Sequence, residues 1–120
     1  MLPDPAPIFV QWERVTSEIL ERTMKFPKAL RFTFAQRVDN LAIDMLEGLA
    51  AAQYASGGAK RALLGEVDSR LLRLKVVLRL CHQRQILDHG AYEHLARELD
   101  AVGRQLGGWR RHQAGAEPGP

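Results

Sequence analysis

Apolar positions in this 120-residue chain recur at intervals of three and four almost from end to end, the period of one helix face. Ile8, Trp12, Val15 and Ile19 define a first helix running to about Lys25, with Glu18 and Arg22 an i, i+4 pair on its wet side. Pro27 ends that helix or opens the next. Phe34, Val38, Leu41, Met45, Leu49 and Ala52 share one face of a long second helix over 28–55, opposite Gln36, Asn40, Asp44 and Glu47. Ser56-Gly57-Gly58 is the turn, with glycine where a helix end needs a left-handed residue. A third helix follows over 59–86. Asp88-His89-Gly90 separates it from a fourth, whose free N–H groups Asp88 can cap.

In the fourth helix Leu95, Leu99, Val102 and Leu106 form the core side, while Glu93–Arg97 and Asp100–Arg104 are i, i+4 pairs on the solvated side. Ala96, Gly103 and Gly107 line one edge, where a neighbouring backbone can come close. No strand pattern competes. Four helices joined by short loops predict an all-α fold, an antiparallel up-down four-helix bundle over 8–112. The prolines at 3, 5 and 7 hold residues 1–7 extended, and 113–120, rich in Gly, Ala and Pro, reads as a disordered tail.

The third helix departs from the simple pattern. Leu63, Val67, Leu71, Leu74, Leu78 and Cys81 form one stripe, and Leu72, Val76 and Leu80 form a second on roughly the opposite side. A helix packed in a lone bundle needs one apolar face, so the second stripe predicts a homo-oligomer with Leu72, Val76 and Leu80 at its interface. Lys75 and Arg79 stand with Arg61 on one flank of these stripes; Arg70, Arg73 and Arg84 stand on the other. An assembly on the second stripe would repeat those cations around a common axis, where weak single contacts become avid for a polyanion.

Charge sharpens that picture. Residues 60–84 hold seven Lys or Arg against Glu66 and Asp68, a net of +5; the whole chain carries +3, so the remainder carries −2. Such unevenness points to nucleic acid or an acidic protein surface. Trp12, Trp109, Phe34 and Tyr92 sit on or beside core stripes, which directs the expected contacts to phosphates rather than base faces. Cys81 is alone and on the core stripe, so it reads as a buried thiol. The N-terminus lacks the features of a signal peptide and no segment is long enough to span a membrane; the chain reads as cytoplasmic.

Little in the chain suggests catalysis. The histidines at 82, 89, 94 and 112 show no i, i+4 pairing, no HExxH or paired ExxH motif occurs, and no metal or cofactor is expected. Asp39 and Asp44 are splayed by their five-residue spacing and read as solvated. His82 points away from Cys81, and Ser56-Gly57-Gly58-Ala59-Lys60 lacks phosphate-loop spacing. A non-enzymatic protein is the expectation.

Three segments extend this reading: Asp68-Ser69-Arg70-Leu71-Leu72-Arg73-Leu74-Lys75-Val76-Val77-Leu78-Arg79-Leu80, Tyr92-Glu93-His94-Leu95, and Val102-Gly103-Arg104-Gln105-Leu106-Gly107-Gly108-Trp109. Together they resemble the Avd family, the accessory variability determinants of diversity-generating retroelements, over about residues 20–112. The terminal Leu-Gly-Gly-Trp is the most specific piece. The resemblance implies a four-helix bundle assembled as a pentameric ring. It also implies binding to the retroelement's reverse transcriptase and template RNA, or an RNA/DNA hybrid, in support of mutagenic cDNA synthesis. The family's basic positions in the third helix fall here on Lys75 and Arg79, with lysine at 75 where the family often has arginine. Arg61, Lys28 and Arg31 join them on charge alone. The family's relatives encoded in ribosomal RNA intervening sequences share the bundle, so an oligomeric interaction module with no retroelement role is the alternative.

Overall fold

The computed structural model describes residues 5–116. Its helices are α1 (Pro7–Thr23), α2 (Gln36–Gln53), α3 (Gly57–Gln83) and α4 (His89–Ala116), and no strand occurs among the described residues. Pro7 sits in the first turn of α1, where its missing N–H would have had no helical partner, and Ala6 before it is extended. Asp88 caps α4 through its Oδ1, which accepts from the Ala91 N–H at 2.8 Å.

Cross-links fix the topology. Ala6 N–H donates to Gln53 Oε1, and the Trp12 indole N–H donates to the Ala42 carbonyl at 2.9 Å. The Thr23 hydroxyl lies 2.6 Å from Asp39 Oδ1, so Asp39 is tied to α1 rather than solvated. Between α1 and α4, Arg14 meets Glu98 at 2.9 Å and Gln105 donates to Gln11. Between α3 and α4, Lys75 meets Asp100 and Arg110 meets Asp68; between α2 and α3, Arg70 lies near Asp44, and Gly48 lies against Val67. In each pair, numbers rise on one helix as they fall on the other. The helices therefore alternate up and down, each packed against the next, with α4 closing on α1.

The core is the set of positions that the helical period selects. Trp12, Val15, Ile19, Val38, Met45, Leu49, Val67, Leu74, Leu95, Leu99, Val102 and Leu106 are all buried. Burying each large side chain stabilises the fold by about 1.5–3 kcal/mol. Cys81 joins them, and burial pushes its thiol pKa up.

Five expectations need correction. The second helix does not run unbroken over 28–55: Lys28–Leu30 is a single 3₁₀ turn and Arg31–Ala35 a π-helical turn, with regular α geometry only from Gln36. A π turn carries an extra residue, which shifts the face presented. Accordingly Ala35 is buried, and Phe34 is only half-buried at the edge of the core. At the start of α3, Leu64 rather than Leu63 is the buried leucine, because the inner stripe there follows the i, i+3 neighbour of Val67.

The acids expected in i, i+4 pairs reach elsewhere: Glu18 to Arg14 and His94, Glu93 to His89, and Asp100 across to Lys75. Finally, α4 continues through Gln113 to Ala116, past the expected end of the bundle at 112. The rest of that tail, 117–120, lies outside the described residues, as do residues 1–4 of the extended segment.

Two glycines mark close packing. A Cβ on Gly48 would stand 2.8 Å from Val67 Cγ2, so α2 and α3 touch there as no larger residue allows. Gly103 admits Leu71 of α3, with 3.3 Å from its ideal Cβ position to Leu71 Cδ2, whereas Gly107 meets only Arg111 of its own helix. The α3 terminus is closed by a Schellman arrangement. Ile86 N–H donates to the Cys81 carbonyl at 2.8 Å and Gln85 N–H to the His82 carbonyl at 3.0 Å, with Gln85 left-handed at φ 61°.

Candidate nucleic-acid interface

The outer face of α3 follows from the same arithmetic that builds its inner face. Turning 100° per residue, Leu72, Val76 and Leu80 point away from Leu71, Leu74 and Leu78, and they are 64%, 60% and 42% exposed. Scattered exposed leucines are ordinary, but three in register on one helix form a strip of the kind that marks contact surfaces. At its lower end the strip meets the turn ahead of α2: Leu80 and Val77 border a shallow hollow of about 300 Å³ with Thr33, Phe34 and Arg37.

The cations around this strip have unequal surroundings. Lys75 Nζ is 3.0 Å from Asp100 Oδ1, and Arg70 lies 3.6 Å from Glu66 and 3.9 Å from Asp44. Arg73, Arg79 and Arg84 are exposed. An exposed ion pair contributes only about 0–1 kcal/mol, so a phosphate arriving at Lys75 competes with Asp100 on even terms. Arg61 stands far from the strip. It is 23 residues before Arg84, or roughly 35 Å along the axis at the helical rise. The basic positions from Arg61 to Arg84 therefore border the length of α3 and do not converge on one point.

Lys28 and Arg31 belong to the irregular link between α1 and α2. Arg31 borders an apolar groove of about 530 Å³ with Leu20, Met24, Phe32 and Ile43. Met24 and Phe32 are 84% and 82% exposed there. Neither residue belongs to the apolar stripes: Met24 caps the end of α1 and Phe32 lies in the π turn.

Other residues gather that spacing within one helix could not reveal. His82 stacks on Tyr92, with ring centroids 4.4 Å apart, and its Nε2 lies 3.2 Å from His89 Nδ1 across the α3–α4 turn. No group of three His, Cys, Asp or Glu side chains placed to hold a metal occurs among the described residues. Arg110 and Arg111 of α4 come beside Arg61 of α3, and Lys60 Nζ lies 5.1 Å over the Trp109 ring. The available signal was the antiparallel register: if Asp68 faces Arg110, then Lys60 and Arg61 must lie near the residues that follow it. No described helix is long and apolar enough to cross a membrane.

The model of the bAvd-like family matches the chain over residues 8–113. Neither the comparison with curated proteins nor that with solved structures returns a match.

Proposed function

The chain belongs to the bAvd-like family, one of accessory proteins rather than enzymes, and from that premise we propose that it serves a diversity-generating retroelement. In this reading it is a ring-forming homo-oligomer, pentameric as the Avd resemblance implies. It binds the reverse transcriptase and its template RNA, or an RNA/DNA hybrid, in the cytoplasm and supports mutagenic cDNA synthesis. The observation that carries the reading is the exposed strip Leu72, Val76 and Leu80 with Lys75 and Arg79 along its border. Closing copies over the strip removes apolar surface from water and multiplies the cations. Arg73, Arg84, Arg70, Lys28 and Arg31 supply further positive charge on the same chain.

RNA binding measured across salt tests this. The expected result is a steep linear fall of log K with log salt, and Lys75→Ala and Arg79→Ala each reduce the slope by about one. Asp100→Asn, which frees Lys75, tightens binding. A flat salt response overturns the RNA-binding role. It would favour an oligomeric module that binds protein only, a reading supported by the acids already paired with Lys75 and Arg70.

A further inference from the structure

Where α1 gives way to α2, a groove of about 530 Å³ runs between the last turn of α1 and the α2 face that carries Ile43. Leu20, Met24, Phe26, Phe32 and Ile43 supply its apolar walls. Three of these side chains are open to a ligand, Met24 at 84%, Phe32 at 82% and Ile43 at 37% exposure. The charge around them is one-sided. Residues 22–37 carry Arg22, Lys25, Lys28, Arg31 and Arg37 with no Asp or Glu, a net of +5. Counting Glu21 and Asp39 on either side still leaves +3. Arg31 borders the groove, Lys25 falls between the wall residues Met24 and Phe26, and Lys28 opens the 3₁₀ turn that leads to Arg31. Lys25, Lys28 and Arg31 are exposed and make no ion pair among the described residues. Asp39, the acid that lines the groove, accepts from the Thr23 hydroxyl at 2.6 Å.

An apolar groove with cationic lips complements a helix that has an apolar ridge and acidic flanks. Methionine suits such a contact, because its side chain adapts to the shape it meets. A nucleic acid matches the charge but not the walls. In the groove Phe32 alone presents an open ring, and polar base edges would meet Leu20, Met24 and Ile43. A flat lipid surface would leave the hollow unfilled. A second copy bringing its strip of Leu72, Val76 and Leu80 brings the cationic borders of that strip too, so like charges would meet. Pairing with an extended peptide needs an open strand edge, and no strand occurs among the described residues. We propose that the groove docks an acidic amphipathic helix of another protein, its apolar side chains between Met24, Phe32 and Ile43 and its carboxylates on Lys25, Lys28 and Arg31. Lys28 and Arg31 are shared with the phosphate contacts proposed above; Met24 and Phe32 are not.

Fluorescence anisotropy with the full chain tests it, using a labelled helical peptide of about 18 residues with leucine at i, i+3, i+4 and i+7 and glutamate on both flanks. Its controls are the same peptide with glutamine for glutamate, the same peptide with serine for leucine, a single-stranded RNA oligomer and phosphatidylserine vesicles. The acidic leucine peptide is expected to bind at least about tenfold more tightly than either altered peptide, since charge and apolar contact both contribute. Phe32→Ser weakens it about tenfold and leaves helicity and RNA binding unchanged, because the ring is exposed and lies outside the phosphate contacts. Met24→Gln acts in the same direction from the other wall. Arg31→Gln weakens the peptide about threefold, as loss of a rim charge does. No binding of the acidic peptide, equal binding of an altered one, or indifference to both Phe32→Ser and Met24→Gln overturns the proposal. A fall in RNA binding, vesicle binding or particle mass with Phe32→Ser also overturns it, and gives the groove to a nucleic acid, a lipid surface or a second copy. Peptide binding of the expected pattern beside a flat salt response for RNA would leave the groove standing and the retroelement reading fallen. The reverse result sinks the groove alone.

Discussion

Leu78 and Leu80 lie two residues apart on α3, and their surroundings are opposite: the first is 3% exposed, the second 42%. The inner face, from Leu64 through Leu74 to Cys81, is closed over by α2 and α4. The outer face, Leu72 to Leu80, has the same kind of side chain and stands exposed among the described residues. Hydrophobic character alone therefore does not tell a core from a contact surface. The bundle needs only the inner stripe to fold, and the outer one is surplus to that task. Its borders are also cationic, so whatever covers it approaches between positive charges.

The contrast is best broken at its buried side. Leu74→Ala leaves a cavity among tightly packed neighbours and is expected to destabilise the fold by about 2–5 kcal/mol, read from a denaturant midpoint. Leu72→Glu and Leu80→Glu, on the other side of the same helix, should leave helicity intact and change intrinsic stability by less than about 0.5 kcal/mol. They should nonetheless lower the particle mass in light scattering. An unchanged mass would mean that the outer stripe joins no subunits.

A smaller effect sits where α3 ends. Gln85 is left-handed without being glycine, so Gln85→Gly is expected to raise stability by about 1 kcal/mol in the same denaturant assay. The smallest concerns Cys81. Its thiol pKa is raised by burial, so the neutral form is favoured in the fold. That contribution is present in full below the unfolded thiol value of about 8.5 and is lost as pH rises through the folded one. Stability of the wild type should decline slightly more than that of Cys81→Ala over this alkaline range.

Within one helix, the chain reads almost directly into structure. Trp12, Val15, Ile19, Met45, Leu95 and Leu106 are all buried where their spacing places them, and Asp88 caps α4. The exposure of Leu72, Val76 and Leu80 was likewise legible from the angle between two stripes. What escaped depends on register between helices or on departures from 3.6 residues per turn. Asp100 reaches Lys75 rather than Arg104 because a facing helix offers a closer cation than its own next turn. Gly48 passes for an ordinary residue until Val67 is seen against it. Arg110 and Arg111 become neighbours of Arg61 only after α3 and α4 are aligned, and Phe34 leaves the core because of the π turn.

The π turn over Arg31–Ala35 also acts as a phase adjuster. One residue too many is wound into a single coil, so deleting any one of the five would let 28–53 straighten into an uninterrupted rod. Because that coil already holds the surplus, the flanking segments would keep their faces; a deletion over 36–42, where no surplus exists, would instead swing everything upstream by about 100° around the axis relative to everything downstream. Met24, Phe32 and Ile43 would part company with no side chain among them altered. The shape of that groove is thus set by a count of residues, so insertions and deletions in this short stretch reshape the surface more than substitutions do.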